Sequence, residues 1–292
     1  MNSFLTPHQV SRALGVSESS LKRWCDKGLL ETVRTAGGHR RVPYAAVMKF
    51  LRDSGRPMVR PDVLGLPAVV GQGTTVLRRA AGQLEQALVG GDETMARRVL
   101  LDLYLAQHPT WRIGDEVLAP ALAAVGAAWE CGDVAVYQER RACEIAERVV
   151  IEIVARFSSP DASAPAAVGG TLTGDNYRLP TLLCETVLRE AGWRADSLGS
   201  SIPLESMEQA VADLGPRLCW LSVSHIDDRD ALVAGIEQLS KRCKRRGAAL
   251  VVGGRAIDAE LKPRLKTVVV CGSLKELVDA AGRVKRDRRS QR

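Results

Sequence analysis

No apolar run in this chain reaches the ~18 to 20 residues that a membrane-spanning helix needs, and aromatic residues make up only 4% of it. Its opening MNSFLTPHQV lacks a basic stretch followed by an apolar core, so no secretory signal is expected and the cytoplasm is the expected location. Histidines number four, and the seven cysteines (Cys25, Cys131, Cys143, Cys184, Cys219, Cys243 and Cys271) are scattered, with no C-x-x-C and no histidine at zinc-ligand spacing. Reduced, mostly buried thiols are therefore expected, with no metal centre and no catalytic thiol. What remains is globular: 292 residues, 46% hydrophobic and 26% charged, about twice the usual ~150 residues per domain, so two or three units each able to bury a core.

Charge is unevenly placed. Of the net +7, residues 1–62 carry +6 and residues 283–292 carry +5, leaving −4 for everything between. Basic ends on an acidic middle point to a polyanion partner for the ends and a different task for the centre.

Composition divides the chain. Residues 56–74, rich in proline and glycine without sustained periodicity, read as a linker, and residues 158–167 (SSPDASAPAA) as a second. Between them, 75–157 places apolar residues at helical spacing (Leu84, Leu88, then Val99, Leu100, Leu103, later Val117, Leu118, Leu122, Val125, Trp129), which predicts a four-helix bundle. From 168 onward, short apolar runs alternate with amphipathic segments five times. That order predicts a five-stranded parallel, doubly wound (flavodoxin-like) sheet, which binds ligands at the carboxyl ends of its strands.

In the first 55 residues, Thr6 can cap a helix with Pro7 at its first position and Gln9 completing a capping box, and Gly15 can end it. Ser17 can cap a second helix whose Leu21 and Trp24 face inward while Ser20, Lys22 and Arg23 point out. TVRTAGGHRRV then predicts a hairpin whose Gly37-Gly38 pair allows positive φ. A helix beside a basic wing suits double-stranded DNA, because Lys and Arg supply phosphate attraction and base-edge contacts together. These residues resemble the winged helix-turn-helix of the mercury-resistance (MerR) family of transcription regulators: Gly15-Val16-Ser17, Ser20-Leu21-Lys22, Trp24, Gly28-Leu29-Leu30, then Arg34 and Gly37 to Arg41. The resemblance implies promoter DNA as partner, contacted through Ser20, Lys22, Arg23, Arg34, His39, Arg40 and Arg41, and a homodimer or higher homo-oligomer.

The segment VGAAWECGDVAVYQERRACEIAERVV and the unit after it resemble the bundle and cobalamin-binding domains of light-sensing repressors in that family. The resemblance places Trp129 over the upper corrin face, with Glu139 ten residues on; Arg140 stands where that family has a histidine. After the first sheet strand the family carries D-x-H-x-x-G, whose histidine is the lower cobalt ligand while the acid fixes its tautomer. Here the stretch reads Asp175-Asn176-Tyr177-Arg178-Leu179-Pro180, keeping the acid and losing the histidine. Ser222-Val223-Ser224 matches a Ser-x-Leu without its leucine, and Gly253-Gly254 matches the pair that lets the nucleotide tail slip between strand and helix.

The expected ligand set is thus Trp129, Glu139, Asp175, Tyr177, Ser222, Gly253 and Gly254, with no histidine-ligated cobalamin. Three readings stay open: a pocket that serves assembly alone, cobalamin held without the histidine, or another flat tetrapyrrole or small molecule. The rival class, a corrinoid-dependent methyltransferase component, lacks an acid/base pair and a substrate barrel here, so no enzyme is expected. The basic tail RVKRDRRSQR extends DNA contact or is a solvated terminus.

Overall fold

The computed structural model describes residues 4–35, 37–54, 56, 58–64, 74–157 and 160–287. The last residues of the basic tail and the middle of the first linker lie outside them.

Strand β1 (Phe4–Leu5) leads into helix α1 (Pro7–Leu14) through the expected capping box: the Gln9 amide donates to the Thr6 hydroxyl at 3.1 Å, and the Thr6 amide to the Gln9 side chain at 2.9 Å. Gly15 ends the helix at φ 64°, and α2 (Glu18–Asp26) starts from Ser17, whose hydroxyl accepts the Ser20 amide. β2 (Val33–Arg34) and β3 (Arg40–Pro43) form the wing, and α3 (Tyr44–Ser54) follows. Two details go beyond the expected hairpin. β1 also pairs with β3, so the wing sheet has three strands. Of the glycine pair, Gly38 alone takes positive φ (78°), because Thr35 closes the turn by accepting from the Gly38 amide with its carbonyl and from the His39 amide with its hydroxyl, leaving one left-handed residue to be supplied. The first linker also begins later than its composition predicts. The amides of Val59 and Arg60 both donate to the Ala13 carbonyl at 2.9 Å, and Val59 lies so close over Gly15 that a Cβ there would meet it at 2.9 Å.

The helical stretch comprises α4 (Thr74–Gly90), α5 (Glu93–Leu105), a short α6 (Thr110–Ile113), a π turn (Gly114–Leu118), α7 (Ala119–Glu130) and α8 (Val136–Val154). Helix α4 packs on α5 and α7. Within α5, Asp102 is 5% exposed, and neither carboxylate oxygen has a hydrogen-bond partner among the described residues. Burial pushes its pKa up to about 7, with the Arg98 charge opposing. The folded chain therefore keeps a proton that the unfolded chain releases near ~4, so this carboxyl's contribution to stability is full below ~4 and is lost as pH rises through about 7. Asp102→Asn is expected to flatten the decline in melting temperature between pH 5 and pH 8; parallel wild-type and variant profiles would show that the carboxyl does not titrate in this window.

After residue 160 come β4 (Ala166–Gly170), α9 (Arg178–Glu190), β5 (Arg194–Ser197), α10 (Leu204–Leu214), β6 (Leu218–Ser222), α11 (Arg229–Arg245), β7 (Ala249–Gly253), β8 (Val269–Cys271) and α12 (Leu274–Asp287). The strands form one parallel sheet in the order β5-β4-β6-β7-β8. One face carries Met207 and Val211 of α10 with Ile236 and Leu239 of α11; the other carries Val187 and Leu188 of α9 with Leu277 and Ala281 of α12. Strand order reverses between β4 and β6, which sends α9 and α11 to opposite faces. The last crossover departs from expectation: IDAELKP forms no full helix, only a 3-10 turn at Lys262–Arg264. Pro263 has no amide to give, and Asp258 spends one carboxylate oxygen capping Glu260 and Leu261. β4 starts at Ala166, inside the stretch expected as second linker.

The described chain divides into two compact units. One holds the winged domain with most of the bundle; the other holds the sheet together with residues 110–115 and 146–154. Residues 110–115 and 146–154, which lie in the stretch expected as the bundle, thus group with the sheet, for a physical reason. Thr110 donates to Glu190 of α9 through both its amide and its hydroxyl, and the Asp115 carboxylate accepts the Leu274 and Lys275 amides at 2.9 and 3.0 Å. A carboxylate on the open amides at the N-terminus of α12 is favourable to both the hydrogen bonds and the helix dipole. All seven cysteines are free, as expected. Three are buried, three are half-buried and Cys131 is exposed, so fewer are enclosed than composition suggested. No described helix is long and apolar enough to cross a membrane.

Candidate functional site

In the winged domain, Leu21 is fully buried beneath α2, and Trp24 packs its ring 4.9 Å from Phe50. The opposite side of the helix is then free, and Lys22 and Arg23 are exposed there. Ser20 is half-buried, its hydroxyl accepting from that of Ser17 at 3.0 Å. On the wing, Arg34 and His39 are exposed and Arg41 is half-buried. Arg40 does something the sequence did not suggest. Its guanidinium bonds Asp26, at the end of α2, at 2.8 Å, which ties the wing to the helix. That hydrogen bond is also what raises the Arg40 pKa further. Arg34 sits directly across the strands from Arg40, so pairing Arg40 with Asp26 removes a like-charge contact from the hairpin.

At the carboxyl edge of the sheet, Asp175 is buried, and both oxygens of its carboxylate accept hydrogen bonds. One oxygen accepts the Tyr177 amide at 3.0 Å; the other accepts the Ser224 amide at 2.6 Å and the His225 amide at 3.3 Å. These bonds join the loop after β4 to the loop after β6 across the switch point. Tyr177 stands just before α9, half-buried, with the Arg255 guanidinium 4.5 Å from its ring centre. Arg255 in turn donates to the Ser224 carbonyl, which adds the loop after β7 to the same tie. The Gly-Gly pair is accounted for by backbone crowding. A Cβ on Gly253 would meet the Cys271 carbonyl at 2.5 Å, and one on Gly254 (φ 124°) would meet the Val223 carbonyl at 2.2 Å. Ser222 is buried at the end of β6. His225 is exposed and pairs with Asp227 at 2.9 Å.

On the bundle, Trp129 is 45% exposed near the end of α7, so it is no core aromatic. Glu139 accepts from the Cys143 thiol at 3.5 Å and lies 3.6 Å from Arg140. Asp26, Arg255 and Thr171, whose hydroxyl accepts the Ser201 amide and donates to the Asp175 carbonyl, escaped the sequence reading. Apart from Asp175, four residues after Thr171, their partners lie fourteen or more residues away, and no local pattern announces them.

The sequence matches the family described as "Helix-turn-helix domain" over residues 4–54 and "B12 binding domain" over residues 80–153. It is 27% identical over 259 residues to the HTH-type transcriptional repressor CarH of Myxococcus xanthus, covering 83% of this chain and 86% of that one. The chain is a helix-turn-helix regulator with a B12-binding-like module. The regulator's fold also matches that of the Methanosarcina barkeri monomethylamine corrinoid protein, with a TM-score of 0.57 at 15% identity, over 70% of this chain and 97% of that one. A cobalamin-binding protein from Desulfitobacterium hafniense aligns over 71% of the regulator and 98% of its own chain, with a TM-score of 0.38 and 16% identity.

The sheet edge of the regulator does not fit a histidine-ligated corrinoid. Orienting an imidazole on cobalt requires a carboxylate with a free lone pair aimed at it. Position 177 instead holds a phenol lying under a guanidinium, and the Asp175 carboxylate already accepts three backbone amides. A phenol is also a poorer cobalt ligand than an imidazole.

Proposed function

We propose that the regulator is a cytoplasmic, MerR-type homodimer that binds double-stranded promoter DNA, with α2 in the major groove and the wing against the backbone. The observation that supports this most is the set of exposed basic side chains Lys22, Arg23, Arg34 and His39, held around a helix that Arg40 braces through Asp26. Two half-sites require a two-fold symmetric protein, which is the reason for proposing a dimer. The test is titration of labelled promoter DNA at several salt concentrations. A preferred sequence whose affinity falls linearly in log salt is expected; equal affinity for all sequences would refute operator recognition.

Arg40 acts as a positioning residue in this reading. Asp26→Ala is therefore expected to weaken operator binding although it removes a negative charge from the DNA-facing side, and Asp26→Ala with Arg40→Ala should lose less than the sum of the two. Tighter binding by Asp26→Ala would show that Arg40 contacts DNA directly.

The second module serves sensing or assembly and performs no catalysis. Its match to a B12-binding domain, the similarity to CarH and the exposed Trp129 favour a flat corrinoid or related tetrapyrrole as the ligand class. Such a ligand changes DNA affinity only if it binds one assembly of the regulator better than another.

A further inference from the structure

We propose that the sheet domain of this regulator provides no seat for the nucleotide tail of a cobalamin, because Trp220 already occupies it. The tail consists of a phosphodiester, a ribose and a bicyclic aromatic base. A doubly wound sheet can bury such a group only in a slot opening at the carboxyl ends of its strands beside the switch point between β4 and β6. Two faces offer that place, and each is closed to the tail for its own reason.

On the face covered by α9 and α12, Trp220 of β6 is 1% exposed. Its indole N–H donates to the Thr181 hydroxyl of α9 at 3.0 Å, and Thr181 lies 3.2 Å from the Ser197 hydroxyl at the end of β5. The ring rests against the neighbouring strand so closely that a Cβ on Gly169 would fall 2.1 Å from it. Trp193, fully buried, completes the same cluster. Indole is a bicyclic aromatic of nearly the size of benzimidazole, so the chain fills this space with its own base-sized ring and satisfies its polar atom internally.

On the face covered by α10 and α11 there is a cavity of about 210 Å³ at the switch point, floored by Leu172, Leu204, Val223 and Leu232. Its rim carries Asp227 and Asp228. Asp228 caps α11 by accepting the Asp230 and Ala231 amides, and Asp227 holds His225. Two carboxylates at the mouth repel a phosphodiester. The loops that would have to part are themselves joined through Asp175 and through Arg255 over Tyr177.

Any corrinoid the regulator retains is therefore held without help from its tail. The inference is independent of DNA recognition, and a failed operator titration leaves it standing. It is tested by equilibrium dialysis in the dark of the full chain against adenosylcobalamin and against adenosylcobinamide, which lacks the nucleotide base. Retention equal within about threefold, including retention of neither, is expected; cobalamin held at least about tenfold more tightly would overturn the proposal. Tyr177→His, which alters a half-buried loop side chain and leaves the core intact, provides a second reading. It should create no preference for cobalamin, since Trp220 still fills the slot. A tenfold preference gained by that single change would show that the missing histidine alone had closed the site.

Discussion

Trp220→Ala lowers the stability of the sheet unit by about 3 to 5 kcal/mol, the usual cost of emptying a large aromatic site that cannot collapse. The site is rigid by construction. Trp220 lies in a central strand paired on both sides, between β4 and β7, and its ring packs among Val187, Leu188, Val251 and Leu277. Its neighbours belong to a closely spaced parallel sheet and two long helices, which leaves little freedom to move inward. At about 2 to 4 °C per kcal/mol for a domain of this size, the melting temperature should fall by roughly 10 °C. Calorimetry on the full chain reads this directly. Thr181→Val should cost less, about 1 to 3 kcal/mol, by leaving the indole N–H buried without its acceptor. A loss below about 1 kcal/mol for Trp220→Ala would mean that the ring is not packed as described.

The second large effect concerns DNA. Lys22→Ala with Arg23→Ala is expected to weaken operator binding by roughly ten- to a hundredfold near physiological salt, and to reduce the slope of log affinity against log salt by about two. Both side chains are exposed on α2, and alanine is the best helix former, so the fold should hold its melting temperature. Stability and affinity thus separate in this variant, as they do not in one that disturbs Leu21. An unchanged salt slope together with lost affinity would assign the two residues to base edges rather than phosphates. Unchanged affinity would move the DNA-facing surface away from α2 altogether.

Much of this architecture could be read from local pattern. The capping box at Thr6, the glycine stop at Gly15 and the serine cap at Ser17 each depend on atoms within three or four residues, and all three form as predicted. The three central strands β4, β6 and β7 were legible because a strand buried on both faces reads as a short apolar run between turn residues, and the edge strands β5 and β8 followed from the alternation around them. The crossover after β7 was misread because IDAELKP has the apolar content of a helix and too little length, with Pro263 withdrawing an amide from a segment of one turn. That residues 110–115 group with the sheet could not be read, because Asp115 and Thr110 find their partners in α12 and α9, well over fifty residues away, and sequence periodicity carries no trace of such pairs.

The candidate site divides in the same way. Lys22, Arg23, Arg34 and His39 were legible because exposure on a short amphipathic helix and hairpin follows from which residues must be buried. Arg40 was assigned to the same surface from its charge alone, and only the fold brings it to Asp26. That position 177 holds a tyrosine was visible at once, whereas the engagement of Asp175 by three amides depends on two loops meeting across the sheet.

By itself, then, the sequence determined the order of modules, the caps, the central strands and the tyrosine at position 177, since each is set by residue identity or by neighbours a few positions apart. Tertiary structure decided which charge braces and which is free, that Gly253 and Gly254 relieve backbone contacts, and that Trp220 fills the space beneath the sheet edge. Those outcomes depend on close packing between segments remote in the chain, where a few tenths of an ångström separate a slot from a filled core.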